Sequence, residues 1–204
     1  GMTLRALALN CTLKPSPAVS STERLAREVL DALEDHGVEG DHVRVVDLDI
    51  RPGVETDMGD GDEWPRLREL ILAADILVFA TPTWMGQTTS VGQRVLERLD
   101  AELSETDTEG RPTLFGKVAI VAVVGNEDGA HHICADVFQA LDDVGFTIPA
   151  QGCTYWNGEA MGSVDYVDLD HRAESTDAAT ATAAANAAHL AGLLAASAYP
   201  VPEG

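Results

Sequence analysis

Short apolar runs alternate along the chain with segments whose apolar residues recur every three or four positions. That alternation predicts parallel β-α units. Leu4 to Leu9 reads as a first strand, and a polar, proline-bearing loop follows from Asn10 to Val19. A helix is expected to begin near Ser20-Ser21-Thr22, with Leu25, Val29 and Leu33 on one face and Gly37 as its C-cap glycine. Val43 to Leu48 reads as the second strand, and the acidic, glycine-rich stretch from Arg51 to Glu63 as a loop. Pro65 fits the first turn of a short helix running through Leu72. Ile76 to Ala80 and Val118 to Val124 are unbroken apolar runs, the pattern of central strands covered on both faces. Between them a helix from Ser90 carries Val91, Val95 and Leu99. After them a helix carries Ile133, Val137, Leu141 and Val144, and Gly145 closes it. Phe146 to Thr154 suggests a fifth strand, then comes a loop holding Trp156, Gly158, Gly162 and Asp165. The last helix, about Thr176 to Ser197, is alanine-rich; its Ala-Thr repetition is biased composition and not a structural repeat. Five strands and five helices predict one doubly wound α/β domain over residues 2–199, with 200–204 as a tail.

Composition narrows the picture. A chain of 204 residues with 45% hydrophobic content suits one domain with a substantial core. No apolar run approaches a bilayer span, and the start shows no secretory signal. Gly1 before Met2 reads as a scar of tag removal. The formal charge of −21 repels nucleic acid and anionic membranes, so neither is expected as a partner. Only Lys14 and Lys117 stand against eleven arginines. Adaptation to a salty cytoplasm and drift toward Ala, Asp, Gly and Arg codons both account for that surface. Cys11, Cys134 and Cys153 are too few and too scattered for a disulfide framework, and they match no zinc spacing. A reducing cytoplasm is the expected compartment.

Several motifs fail on their spacing. Gly59-Asp60-Gly61 lacks the third glycine of a dinucleotide fingerprint. Gly110 to Lys117 lacks the Walker Ser/Thr and precedes a strand, and no GxSxG elbow occurs. His131-His132 near Cys134 point in different directions on a helix, which favours surface or site-rim histidines over a metal. Asp57, Asp60, Asp62 and Glu63 miss the EF-hand spacing and read as a solvated acidic loop.

Three polar loops leave the ends of strands one, three and four, where ligands of open parallel sheets bind. The first, from Asn10 to Thr22, holds Thr12, Lys14, Ser20, Ser21 and Thr22 at a helix start. Hydroxyls, one cation and free helix N–H groups suit a phosphate. Ser20 or Ser21 also serves as a plain N-cap, although a cap needs only one hydroxyl. The second reads Thr81-Pro82-Thr83-Trp84-Met85-Gly86-Gln87-Thr88-Thr89-Ser90. It places a stiffened turn, a flat apolar face and free amides together, as a planar ring requires; Trp84 in the core or at a subunit contact is the plainer alternative. The third is Gly125-Asn126-Glu127-Asp128-Gly129-Ala130-His131-His132, whose plainer reading is a capped βα turn.

On these loops the chain resembles the NADPH-dependent FMN reductase family and its multimeric flavodoxin relatives, from strand one to about Tyr155. Thr12, Lys14 and Ser21-Thr22 stand in the places of the family's Ser-x-Arg…Ser/Asn-Thr phosphate loop. Thr81-Pro82-Thr83-Trp84-Met85-Gly86 is similar to its Thr-Pro-x-Tyr/Trp-x-Gly ring-binding turn, and Gly125 to Gly129 falls where the family meets the isoalloxazine edge. The first loop departs from the pattern in its length, in Pro15 and Pro17, and in Lys for Arg. No counterpart is recognised for Trp156 to His171. The resemblance implies a flavodoxin-like five-stranded parallel sheet with helices on both faces. It implies FMN held by Thr12, Lys14, Ser20, Ser21 and Thr22 at the phosphate, by Pro82, Thr83, Trp84, Met85, Gly86 and Gln87 on one side of the ring, and by Asn126, Glu127, Asp128 and Gly129 on another, with His132 at the rim. No acid–base catalyst and no metal is implied, because the chemistry lies on flavin N5. NADPH or NADH would be the reductant and a small molecule the acceptor, in a homodimer or homotetramer with Trp156 and the loop after it as a candidate subunit contact. A flavodoxin-type carrier docking to a redox partner, and a flavin-free domain for another phosphate ligand, remain the alternatives.

Overall fold

The computed structural model describes residues 2–204; Gly1, read above as a tag scar, lies outside them. The chain runs β1 (Arg5–Asn10), α1 (Ser21–Glu34), β2 (Glu39–Arg44), α2 (Trp64–Ala73), β3 (Ile76–Pro82), α3 (Ser90–Leu99), β4 (Val118–Val124), α4 (Ala130–Val144), β5 (Cys153–Trp156) and α5 (Glu174–Ala196). The strands form one parallel sheet in the order β2-β1-β3-β4-β5. Period-two alternation divides the central side chains between two layers. Leu7, Leu9, Leu77, Phe79, Val121 and Val123 face α2, α3 and α4. Ala6, Ala8, Val78, Ala80, Ile120 and Ala122 face α1 and α5. In the second layer α5 presents small residues, with Ala183, Ala184, Ala187 and Ala191 fully covered, so that helix can lie close to the sheet, while α1 packs Leu25, Val29 and Leu33 against it.

The two edge strands depart from the sequence reading. The second strand is Glu39–Arg44, not Val43–Leu48; the apolar stretch Val45–Asp47 is a 3₁₀ turn that tucks Val45 into the core. β2 pairs on one side only, Arg5 opposite Glu39 through Asn10 opposite Arg44. Backbone pairing, not an apolar run, therefore defines it. The fifth strand is Cys153–Trp156; of the expected Phe146–Thr154, Cys153 and Thr154 belong to it, and Thr147 makes an isolated bridge to Val118. The cysteines also depart from expectation. Cys134 in α4 and Cys153 at the start of β5 form a disulfide across 19 residues, while Cys11 is free and buried.

The acidic loop between β2 and α2 is organised by one buried ion pair. Arg98 donates to both carboxylate oxygens of Asp62, at 2.9 and 2.7 Å, and also to the carbonyls of Arg51 and Glu55; both charged side chains are 0% exposed. The guanidinium lies 5.3 Å from the Trp64 ring centre. The hydrogen bond from Arg98, with further amides from Met58, Trp64 and Arg51, holds the Asp62 carboxyl well below the usual carboxylate range.

Candidate functional site

The three polar loops meet at the carboxyl end of the sheet, where β1 and β3 lie side by side. Backbone pairing continues beyond the strands: Cys11 N–H donates to the Ala80 carbonyl at 2.8 Å, Thr83 to Val124 at 3.1 Å and Gly125 to Trp156 at 2.9 Å. Thr89 joins the first two loops, donating to the Cys11 carbonyl at 2.6 Å while its oxygen caps α3 through Gly92 N–H. The second and third loops touch closely, with the Thr83 side chain against Gly125 and Gly129. A Cβ on Gly125 would come within 2.8 Å of Thr83 Cβ, so glycine is required there by contact. Gly125→Ala is expected to lower stability by about 1–3 kcal/mol. A thermal melt should show a fall of about 2–4 °C per kcal/mol; an unchanged melting temperature would show that Thr83 gives way freely.

These contacts enclose a crevice of about 330 Å³, in the range of about 300–1,000 Å³ usual for small-molecule sites. One wall carries Thr12, Lys14, Ser20, Ser21 and Thr22; another Pro82, Thr83 and Trp84; a third Gly125, Asn126 and Glu127. Ser20 does cap α1: its oxygen accepts from Glu23 N–H at 3.1 Å and from the Asn10 amide at 3.3 Å. Both lone pairs are then in use and the hydroxyl proton remains to donate. Thr12 accepts from Lys14 N–H at 3.3 Å, which leaves its proton likewise. The Lys14 ammonium contacts the Val19 carbonyl at 3.4 Å and keeps further N–H donors. The N–H groups of Ser21 and Thr22 open the helix and have no intrahelical acceptor. This wall is thus a set of donors and one cation, the chemistry that a phosphate takes.

Trp84 is 55% exposed, so its ring is neither core nor a strut. Trp84 and Gln87 bond to one another in both directions at 3.0 Å, closing a two-residue turn in which Met85 has φ 55° and Gly86 φ 72°. The turn lifts Met85 into solvent and sets the Trp84 side chain at the mouth. Thr83 Oγ1 is buried beside the crevice with no partner. Phosphate donors, a flat face and a spare polar atom share this crevice, a set of groups that fits FMN.

The structure distributes the remaining sequence-predicted residues differently. Met85, Gly86, Gln87, Asp128, Gly129 and His132 do not line the crevice. Met85, Gly86 and Gly129 shape the turns behind it, the backbone of Gly129 lying against Gly86. His132 faces away, its Nε2 3.0 Å from Gln87 Oε1 and 3.1 Å from Asp136. His131 instead meets the Tyr155 hydroxyl at 3.1 Å, so the two histidines keep separate company. Among the described residues no three His, Cys, Asp or Glu side chains gather as metal ligands.

Two lining residues, Asp165 and Tyr166, carried no sequence signal. They come from the segment without a recognised counterpart, and long-range bonds place them. Asn126 donates to Asp165 at 2.9 Å, Val167 N–H donates to Ser21 Oγ at 3.1 Å, and Arg24 donates to the carbonyls of Tyr166 at 2.6 Å and Leu169 at 3.1 Å. Tyr166 is 2% exposed, packs against Trp156 at 5.5 Å between ring centres and hydrogen-bonds Glu28. Burial and the Glu28 contact push its phenol above the ordinary range.

The strand order and a ligand crevice at the point where it reverses define a flavodoxin-like α/β protein. Residues 4–160 match the model of the NADPH-dependent FMN reductase family. The chain belongs to that family, and so to the flavin-dependent oxidoreductases. It is 38% identical over 205 residues to the 8-demethyl-8-aminoriboflavin-5'-phosphate synthase of Streptomyces davaonensis, covering 95% of this chain and 79% of that one. A solved structure of RosB with bound intermediate OHC-RP (8-demethyl-8-formylriboflavin-5'-phosphate) superposes with a TM-score of 0.87 at 35% identity, covering 96% of this chain and 82% of the other. A third relative, named divalent metal cation transporter MntH in Mycobacterium bovis, is 41% identical over 169 residues, 81% of this chain. The chain spans only 25% of that relative's length. No helix among the described residues is long and apolar enough to cross a membrane.

Proposed function

We propose that this chain binds FMN in the crevice and acts as an NAD(P)H oxidoreductase toward a small acceptor, such as free FMN or a quinone. One observation carries the reading: Thr12, Lys14, the Ser20–Thr22 helix start and the Trp84 face share one crevice at the carboxyl ends of β1, β3 and β4. Bound FMN would supply the redox chemistry between NADPH or NADH and the acceptor. The protein's part is binding and orientation. Lys14 and the α1 amides would hold the anionic tail, and Pro82 to Trp84 and Asn126 to Glu127 would border the ring, with Asp165 and Tyr166 also lining the crevice. The cytoplasm and a homodimer or homotetramer complete this reading; a single monomeric peak in gel filtration overturns the oligomer.

A second reading makes the flavin phosphate the substrate rather than the cofactor. It is favoured by the likeness to the aminoriboflavin phosphate synthase over nearly the whole chain. The visible spectrum of FMN-loaded protein, recorded before and after anaerobic NADPH or NADH, tests the first reading. Prompt bleaching supports the oxidoreductase. No bleaching without a partner reductase overturns it in favour of a flavodoxin-type carrier, and a protein that ignores FMN excludes both. Mass spectrometry of the flavin recovered after aerobic incubation with an amino-acid nitrogen donor separates the second reading: an unchanged flavin excludes it.

A further inference from the structure

The first loop is an unusual phosphate grip, long and proline-bearing, and something must hold its shape. Arg44, the last residue of β2, lies beneath it with its side chain 6% exposed. Nη1 donates to the Lys14 carbonyl at 3.1 Å and to the Ala18 carbonyl at 2.7 Å, so one nitrogen spans the whole Pro15-Ser16-Pro17 excursion. Nη2 donates to Glu23 Oε1 at 3.3 Å, in the first turn of α1 and directly behind Ser20 to Thr22. Three residues further on, Asp47 takes the Ser16 N–H at 2.8 Å, gripping the tip of the excursion from the acceptor side.

Resting on the reading that the FMN phosphate lies between Lys14 and the start of α1, we infer that Arg44 is a positioning residue for the anionic end of the flavin. It does not line the crevice and acts through Lys14. Its fork joins the two halves of the grip, the loop that carries the cation and the helix that carries the amides. Lysine, with one nitrogen, has no counterpart for the second prong that reaches Glu23 while the first holds the loop carbonyls. Glu23 shares one carboxylate among Arg44 at 3.3 Å, Arg27 at 3.5 Å and His42 at 3.7 Å. Burial raises the Glu23 carboxyl, but His42, the Arg44 hydrogen bond and the neighbouring arginines outweigh it and keep Glu23 ionised. Burial lowers His42, and the Glu23 carboxylate opposes that shift.

The test compares FMN with riboflavin, which shares the ring and lacks the phosphate, by flavin fluorescence quenching on the full chain. Arg44→Gln is expected to weaken FMN by about tenfold or more, the scale of losing hydrogen bonds to a charged group. Riboflavin should stay within about twofold, because the ring wall is remote from Arg44. Equal loss for both ligands assigns Arg44 to general stability and overturns the inference, as does no loss for either. If Arg44→Gln lacks the wild-type circular dichroism, Arg44→Lys is read by the same ratio, and a wild-type ratio in that variant overturns the inference too. A wild-type chain that binds FMN no better than riboflavin overturns the phosphate placement itself, a different outcome from a wild-type preference that survives in the variant.

Discussion

Lys14→Glu is expected to bind FMN at least tenfold more weakly than the wild-type chain. Lys14 is the cation on the phosphate wall of a protein whose formal charge is −21. The substitution removes a charge-assisted contact and adds repulsion beside Glu127 and Asp165, which share the crevice. Together these should exceed about 1.4 kcal/mol, which is tenfold in affinity. The lysine is exposed, so part of the effect is screened, and the gap between wild type and variant should narrow as salt is raised. Titration of FMN at low and high ionic strength reads both features. Equal affinities at low salt would clear Lys14 of phosphate binding and move the anionic tail elsewhere.

Arg98→Met is expected to cost more, about 3–5 kcal/mol of stability, because it strands the Asp62 carboxylate in a site where both partners are 0% exposed. It also strips donors from the carbonyls of Arg51 and Glu55, so the whole acidic loop loosens. Denaturant melts measure the loss. The double variant Arg98→Met/Asp62→Leu should recover part of it, since an apolar pair avoids the buried unpaired charge. The pH dependence has a definite sign. Asp62 has a lower carboxyl value folded than unfolded, so its contribution is complete above the ordinary aspartate value, about 3.9. It is lost as pH falls from there through the depressed folded value. In Arg98→Met that part of the acid limb should be absent. A wild-type acid profile in the variant would show that the pair does not stabilise the fold.

The central strands were legible because a strand buried on both faces must be apolar throughout. Ile76–Pro82 and Val118–Val124 meet that condition. The edges were not, because an edge strand needs only one neighbour. Glu-Gly-Asp-His-Val-Arg has no strand-like composition, yet it pairs with β1 residue by residue, while the apolar Val45-Val46 beside it turns into the core. The Cys134–Cys153 pairing depends on how α4 packs over β5, which spacing alone does not express. The site divides the same way. Thr12, Lys14, Ser20 to Thr22, Pro82 to Trp84, Asn126 and Glu127 lie in one crevice because each follows a readable strand. Asp165 and Tyr166 come from a stretch without periodicity, anchored by Arg24, Ser21 and Asn126, contacts with no trace in local sequence.

The backbone bonds that run on past the ends of the strands, from Cys11 to Ala80, Thr83 to Val124 and Gly125 to Trp156, make the rim an extension of the sheet. Its loops surrender their conformational freedom when the chain folds, not when a guest arrives. Association should therefore proceed with little entropic penalty from the main chain, and a rigid flavin should be favoured over a floppy analogue carrying the same polar groups.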